Sequence, residues 1–359
     1  MSNCLNQTGE KALKIGHCKI GHDQPCFIIA EAGSNHNCDF DSARKLIDVA
    51  FEAGADAVKF QVFSAEAIYS RKTPMASYLK NKELVKEGET LWDLIKRIEI
   101  PRHWMPDLMQ YCREKGIIFL STPFDLAAVD ELEAVGVEAY KVASFEITHL
   151  PLLKKISATG LPIILSTGMA NLEDIEVALA AIKAGGNSDV ALLHCAIAYP
   201  PKFEDINLRA MDTMRQAFAL PVGFSDHTMG HVTDVAAVAR GACIIEKHFT
   251  LSRQQEGPDH PFSLEPAELK AMIEAIRQTE KILGSPLKQH TEAENELYRI
   301  ARRSLVAAVD ISAGTVITES MLAVKRPGFG IPVRHMEIVI GRVARRDIEE
   351  DDILTWEMI

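Results

Sequence analysis

"ACIIEKHFT" (residues 242–250) begins as an interior strand and ends in charge. Ala, Cys, Ile and Ile require an apolar setting, yet Glu246, Lys247 and His248 follow with no turn signal. In an extended chain successive side chains alternate faces, so Glu246 and His248 share one face while Lys247 takes the other. Seven further runs have a similar build: "CFIIAEAG" (26–33), "ADAVKFQVF" (55–63), "IIFLSTPF" (117–124), "AYKVASFE" (139–146), "PIILSTGM" (162–169), "VALLHCAIAYP" (190–200) and "PVGFSDHT" (221–228). Between them lie helix-periodic stretches such as "DSARKLIDVAFEAG", "HWMPDLMQYCREKG" and "LEDIEVALAAIKAGG", whose closing glycines suit a helix C-terminus. Strands alternating with helices imply parallel pairing, and near-continuous apolar strands imply a sheet covered on both faces. Eight such units predict a closed (β/α)8 TIM barrel rather than an open sheet.

Composition narrows the class. At 359 residues the chain has room for one large barrel and a small appendage, and 47% hydrophobic with 25% charged residues suits a soluble globular protein. No apolar run approaches the ~20 residues of a membrane span, and the polar start "MSNCLNQTGEKALKIG" lacks the apolar core of a secretory signal. Seven scattered cysteines show neither disulfide-framework nor zinc-finger spacing, so a reducing cytoplasm is expected. A net charge of −11 argues against nucleic-acid binding. An anionic substrate would therefore need locally gathered cations.

In a barrel of this type the catalytic groups sit at the C-terminal strand ends. There the sequence places Glu31, Lys59 with Gln61, Thr122, Lys141, Ser144, Ser166, Ser225 with His227, and Glu246 with His248. His227 and His248 on adjacent strands read as a divalent-metal pair, each beside an acidic residue, Asp226 or Glu246; the alternative is two hydrogen-bonded histidines packing the rim. Two protein ligands would leave positions for water and substrate, which suits Mn²⁺, Mg²⁺ or a similar ion better than structural zinc. Lys59 and Lys141 lie within apolar strands, and with the hydroxyls they would hold a phosphate and a carboxylate; the alternative is lysines snorkelling to solvent.

The connection 64–102, containing "SRKTPMASYLKNKELVKEGETLW", is too long for a simple crossover and reads either as a helical excursion or as a lid. "EGPDHPFSLEP" offers Asp259 and His260 over the mouth, and "KRPGFGIP" (325–332) presents Arg326. The tail repeats itself: "DISAGTVITESML" (310–322) aligns without gaps to "DIEEDDILTWEMI" (347–359), which predicts a small β-domain with internal two-fold symmetry.

The ordered motifs "IIAEAGSNHN", "ADAVKFQ", "STPFD", "YKVASFE", "ILSTGM", "GFSDHT", "EKHFTL", "GPDH" and "KRPGFGI" resemble the sialic acid synthase (N-acetylneuraminate synthase) family, with its pseudaminic and legionaminic acid synthases and spore-coat polysaccharide relatives. The resemblance runs from about residue 12 to the end and implies a C-terminal domain like type III antifreeze protein, of the SAF kind. The layout it implies is a barrel with an N-terminal β-hairpin over 1–285, a linker over 286–300 and the small domain over 301–359. It further implies a transferase that joins phosphoenolpyruvate to an open-chain, N-acetylmannosamine-like 2-acetamido sugar and releases phosphate. His227 and His248 would be the metal ligands. Lys59, Thr122, Lys141, Ser144, Ser166 and Ser225 would hold phosphoenolpyruvate, and Glu31, Tyr199, Glu246 and Asp259 would face the sugar. Arg326 would come from the partner of a domain-swapped homodimer. Two departures stand out: Ala196 and Ile197 replace polar residues after the cysteine, and Phe145 replaces a frequent glycine. They keep pseudaminate or legionaminate synthesis, or a noncatalytic coat-assembly role, in view.

Overall fold

The computed structural model describes residues 12–75, 85 and 88–359. It separates into two compact units, Met1–Gly284 and Ser285–Ile359.

In the first unit a hairpin of β1 (Leu13–Ile15) and β2 (Cys18–Ile20) precedes eight parallel strands. These are β3 (Phe27–Gly33), β4 (Ala57–Val62), β5 (Ile118–Pro123), β6 (Tyr140–Val142), β7 (Ile163–Ser166), β8 (Val190–Cys195), β9 (Val222–Asp226) and β10 (Ile244–His248). They pair in chain order and close where β10 meets β3, His248 standing opposite Glu31. All eight sequence-predicted strands are present, and β6 is shorter than its apolar run: Ser144–Glu146 forms a 3-10 turn instead of extending it.

Strand parity builds two cores. Outward residues such as Ile28, Val58, Phe119, Leu165, Leu192 and Phe224 pack against the helices. Inward residues Phe27, Ile29, Ala57, Leu120, Ile164, Leu193 and Ile244 fill the barrel and share their cluster with Leu13, Ile15 and Ile20 of the hairpin. The hairpin therefore packs on the barrel's apolar interior. Space inside is fully used: a Cβ at Gly223 would come within 2.4 Å of the Ile244 carbonyl oxygen. Farther along the same inward positions the residues turn polar, and the chemistry begins there.

The predicted helix ends hold at Gly54 and Gly116, both left-handed, and at the left-handed Gly186, one residue past the Gly185 that caps the helix Leu172–Ala184. The excursion after β4 contributes the short helix Ala65–Ile68 and the helix Leu91–Ile98, the latter with a Thr90–Asp93 capping box. Its segments 76–84 and 86–87 lie outside the described residues. No helix among the described residues is long and apolar enough to cross a membrane.

The second unit has its own core of Leu305, Ile311, Ile317, Ile331, Val339, Ile348, Leu354 and Met358. Its one regular pairing joins β11 (Ser304–Ala307) to β12 (Leu322–Lys325), antiparallel. The internal repeat is structural. Equivalent residues Ile311 and Ile348 bond to each other through both amides, at 2.8 and 2.9 Å. Asp310 accepts from the Glu350 amide as its counterpart Asp347 accepts from Ala313. Each copy ends in a matching 3-10 turn, Glu319–Met321 and Trp356–Met358. Before the second copy, within "GRVARR" (341–346), the pairing is an isolated bridge between Val343 and Val316.

Candidate active site

At the C-terminal end of the barrel lies a cavity of about 1110 Å³, counting the space open to solvent at its mouth. Its floor holds nearly every inward residue the sequence singled out: Glu31, Lys59, Gln61, Thr122, Lys141, Ser144, Ser166, Ser225, His227, Glu246 and His248, with Tyr199 and Asp259 at the side. The alternation in the opening stretch explains two of them directly, because Glu246 and His248 fall on the inner face of β10.

The two ammonium groups are buried rather than snorkelling, Lys59 at 2% and Lys141 at 3% exposure. Lys59 Nζ lies 2.7 Å from Glu31 Oε2 and 3.6 Å from Glu246 Oε2, and donates to Thr122 Oγ1 at 3.0 Å. Lys141 Nζ lies 3.2 Å from Glu246 Oε1, which also accepts from Ser225 Oγ at 2.8 Å. Gln61 donates to the other Glu31 oxygen at 2.6 Å. Burial opposes the charge on Lys59, but Glu246 and Glu31 outweigh it and its pKa rises; at Lys141 burial prevails and the pKa falls. Burial also opposes the charge on Glu246, and here Lys141 and Lys59 win, holding the carboxyl down to about 2. A charge network this dry persists only because it is mutually paired.

Beside it the His227 and His248 rings stand 5.3 Å apart, centroid to centroid, tilted by 44°. Burial, reinforced by His248, holds the His227 imidazole down to about 3 and keeps it neutral, as a metal ligand must be. His248 Nδ1 is buried and has no hydrogen-bond partner. Asp259 approaches from the loop after β10, its Oδ2 accepting from Ser34 N and Oγ at 3.2 and 2.9 Å. Both His248 and Asp259 crowd the Cα of Gly33, where a Cβ would meet Asp259 Oδ2 at 2.8 Å and His248 Cε1 at 3.1 Å. Among the described residues no cluster of three or more His, Cys, Asp or Glu could hold a metal. The imidazole pair could hold at most a labile ion completed by water and substrate, since a closed structural site takes about four protein ligands. Ser166 Oγ is likewise buried without a partner, which leaves a donor for an incoming anion.

Two expectations change. Asp226 makes no hydrogen bond to the His227 ring: it points to the outer side of the barrel, where it pairs with Lys247 at 2.5 Å. His260 is not over the mouth but fully buried, Nδ1 at 2.6 Å from Thr250 Oγ1 and Nε2 at 3.2 Å from Asn37 Oδ1. Arg326 lies in the second unit, as the expected layout has it, where it is exposed and donates Nε to the Ala301 carbonyl at 2.7 Å.

Other lining residues escaped the sequence reading. Cys195, two places beyond Leu193 on the inner face of β8, brings its Sγ to 3.7 Å from His227 Nδ1. Phe63, Ile68, Leu94, Ile95, Ile98 and Phe124 form an apolar collar with the half-exposed Phe145. Ile197 fills the space beside Gly168, so the replaced polar position has become a wall.

The NeuB family model matches residues 46–288 and the SAF domain model residues 302–359. The chain belongs to the NeuB family. The N,N'-diacetyllegionaminic acid synthase of Campylobacter jejuni is 44% identical to this NeuB chain, over 91% of it and 98% of the relative. Among solved structures, the spore coat polysaccharide biosynthesis protein SpsE of Bacillus subtilis is 39% identical with a TM-score of 0.65, covering 97% of this chain and 99% of that one. The N-acetylneuraminic acid synthetase of Leptospira borgpetersenii serovar Hardjo-bovis is 36% identical with a TM-score of 0.70, covering 80% and 95%. The expected family, fold, SAF domain and enzyme class hold for this NeuB chain.

The buried neutral imidazoles make the metal-free fold acid-sensitive. His227 and His36 are held down to about 3 and about 4 against an ordinary 6.5, so the unfolded state binds more protons below 6.5. Their stabilisation is whole above that value and drains as pH falls. Glu246 adds a second loss between an ordinary 4.5 and about 2. In EDTA-treated protein the Tm should fall as the pH drops below about 6.5. His36→Asn should flatten part of that limb; an unchanged limb in thermal melts would contradict a neutral buried His36.

Proposed function

We propose that the protein condenses phosphoenolpyruvate with the open-chain form of a 2-acetamido sugar, giving a nonulosonic acid and inorganic phosphate. The supporting observation is the pairing of two buried ammonium groups, Lys59 and Lys141, with a neighbouring imidazole pair at one barrel mouth. A phosphate and a carboxylate match the two ammoniums and the Thr122, Ser144, Ser166 and Ser225 hydroxyls through charge-assisted hydrogen bonds.

His227 and His248 would hold a divalent ion, Mn²⁺ or Mg²⁺, which supplies Lewis-acid polarisation of the sugar aldehyde. The C2=C3 π pair of phosphoenolpyruvate forms the bond from C3 to the aldehyde carbon, and the aldehyde oxygen takes up a proton. Lys59 and Lys141 keep the enol phosphate in attacking range. Water then adds at C2. Glu31, oriented by Gln61 and Lys59, stands ready to take its proton. The bond from C2 to the bridging oxygen then breaks with its electron pair leaving on phosphate, which takes up the C2 hydroxyl proton and leaves the C2 ketone. Glu246, Asp259 and Tyr199 would orient sugar hydroxyls.

The apolar collar favours a sugar whose far end is uncharged and poor in hydroxyls. Among the described residues, the lysines and arginines lining the pocket are Lys59 and Lys141 alone, both on the floor. The name of the Campylobacter relative, an N,N'-diacetyllegionaminic acid synthase, agrees with a sugar carrying two acetylated nitrogens. Phe145→Gly should lower the preference for a 6-deoxy over a 6-hydroxy acetamido sugar roughly tenfold in kcat/KM, since about one methyl contact is at stake. A preference that does not move removes Phe145 from sugar selection. We place the enzyme in the cytoplasm, consistent with the free state of all described cysteines, and as a homodimer.

Phosphate release tests the reaction: it should require phosphoenolpyruvate, an acetamido sugar and Mn²⁺ together, and stop with EDTA. Release from phosphoenolpyruvate alone, or none with any acetamido sugar, would overturn it.

A further inference from the structure

Lys247 occupies the outer face of β10 and is 1% exposed. Its Nζ lies 2.5 Å from Asp226 Oδ2, 2.7 Å from the Thr228 carbonyl oxygen and 3.6 Å from Asp234 Oδ2 on the helix Val232–Ala239. Asp226 in turn accepts from the Thr228 amide and hydroxyl, both at 2.9 Å, and that hydroxyl meets Thr233 Oγ1 at 2.5 Å. The residues on either side of His227 are therefore tied to one ammonium, and that ammonium belongs to the residue before His248.

The register gives this cluster a definite place. Strands β9 and β10 pair at Ile245 with Phe224, Glu246 with Ser225 and Lys247 with Asp226. The ion pair is thus the last rung, one residue before each imidazole. Beyond it no backbone pairing between these two strands fixes how far apart the rings stand. A buried ion pair is a poor source of net stability compared with apolar packing of similar volume. Two carboxylates around one ammonium are poorer still: burial and the neighbouring Asp226 push the Asp234 carboxyl well above the usual carboxylate range. Stability alone does not account for such a cluster. Its geometry does.

We propose that Lys247 and Asp226 are positioning residues which, from behind the barrel wall, set the separation of His227 and His248 for a divalent ion. The inference rests on the metal reading above and adds residues that touch neither metal nor substrate. Removing such supporting partners weakens metal binding by roughly 10–100-fold.

The test is Mn²⁺ titration of the whole protein, with free ion followed by EPR. Lys247→Met and Asp226→Asn should each raise the Mn²⁺ Kd by about 10–100-fold. At saturating Mn²⁺ most of the kcat should return, and the KM for phosphoenolpyruvate should stay within about twofold. Ser157→Ala removes a buried hydroxyl bonded to Ile182 O and Asn187 N elsewhere around the barrel and should leave the Kd unchanged. Should Lys247→Met fail to fold, the near-isosteric Asp226→Asn carries the test. Unchanged Mn²⁺ affinity in a folded variant, with tight binding by wild type, overturns this inference alone. Wild type that binds no Mn²⁺ overturns the metal reading as well.

Discussion

Replacing His248 with alanine should lower turnover by roughly a thousandfold, which corresponds to about 4 kcal/mol of lost transition-state stabilisation. The size follows from what the ring contributes. It is one of two imidazoles facing the chamber, its Nδ1 is buried without a partner, and its neighbour across 5.3 Å is His227. A single imidazole with waters binds a divalent ion weakly, so the polarisation of the aldehyde goes with the ion. The fold should persist, because β10 is held by β3 and β9 through its backbone and by Ile244 and Ile245 in the two cores. Circular dichroism and thermal melts near wild type, beside the lost turnover, are the expected pair of results. Turnover within tenfold of wild type would remove the histidine from the reaction.

Lys59→Met should be costly in two separable ways. The ammonium is the shared partner of Glu31 and Glu246, both nearly inaccessible, and taking it away leaves uncompensated buried charge. Breaking a buried pair from one side typically destabilises by about 3–5 kcal/mol. Adding Glu31→Gln removes much of the surplus negative charge and should restore part of that stability in urea unfolding. It should not restore activity, because the phosphoenolpyruvate cradle still lacks half of its cations, and the KM for phosphoenolpyruvate should stay raised by at least tenfold, about 1.4 kcal/mol. An unchanged KM in Lys59→Met would place the substrate anion elsewhere.

The sequence made the barrel legible because the signal is redundant. Eight apolar runs, each turning polar at its end, need only strand parity to place Glu31, Lys59, Ser225, Glu246 and His248 on one inner surface. The tail repeat was legible for a similar reason, since Ile311 and Ile348 bond to each other across the local two-fold. What misled was adjacency along the chain. Asp226 borders His227, yet the same alternation that aims the imidazole inward turns the carboxylate outward to Lys247. His260 borders Asp259, yet its ring is taken by Thr250 and Asn37. The apolar collar was not legible at all. Phe63, Phe124 and Ile98 follow strands or end a helix in the long excursion, and their meeting around one cavity is fixed by how distant loops pack, which no local pattern encodes.

The central claim is that His227 and His248 share one divalent ion at the barrel mouth. Pulsed EPR of the Mn²⁺-loaded protein reads this directly through the nitrogen couplings. Two equivalent-strength imidazole couplings in wild type, reduced to one in His248→Ala, are the predicted result. A Mn²⁺ spectrum with no nitrogen coupling, or one unchanged by the substitution, would contradict the account.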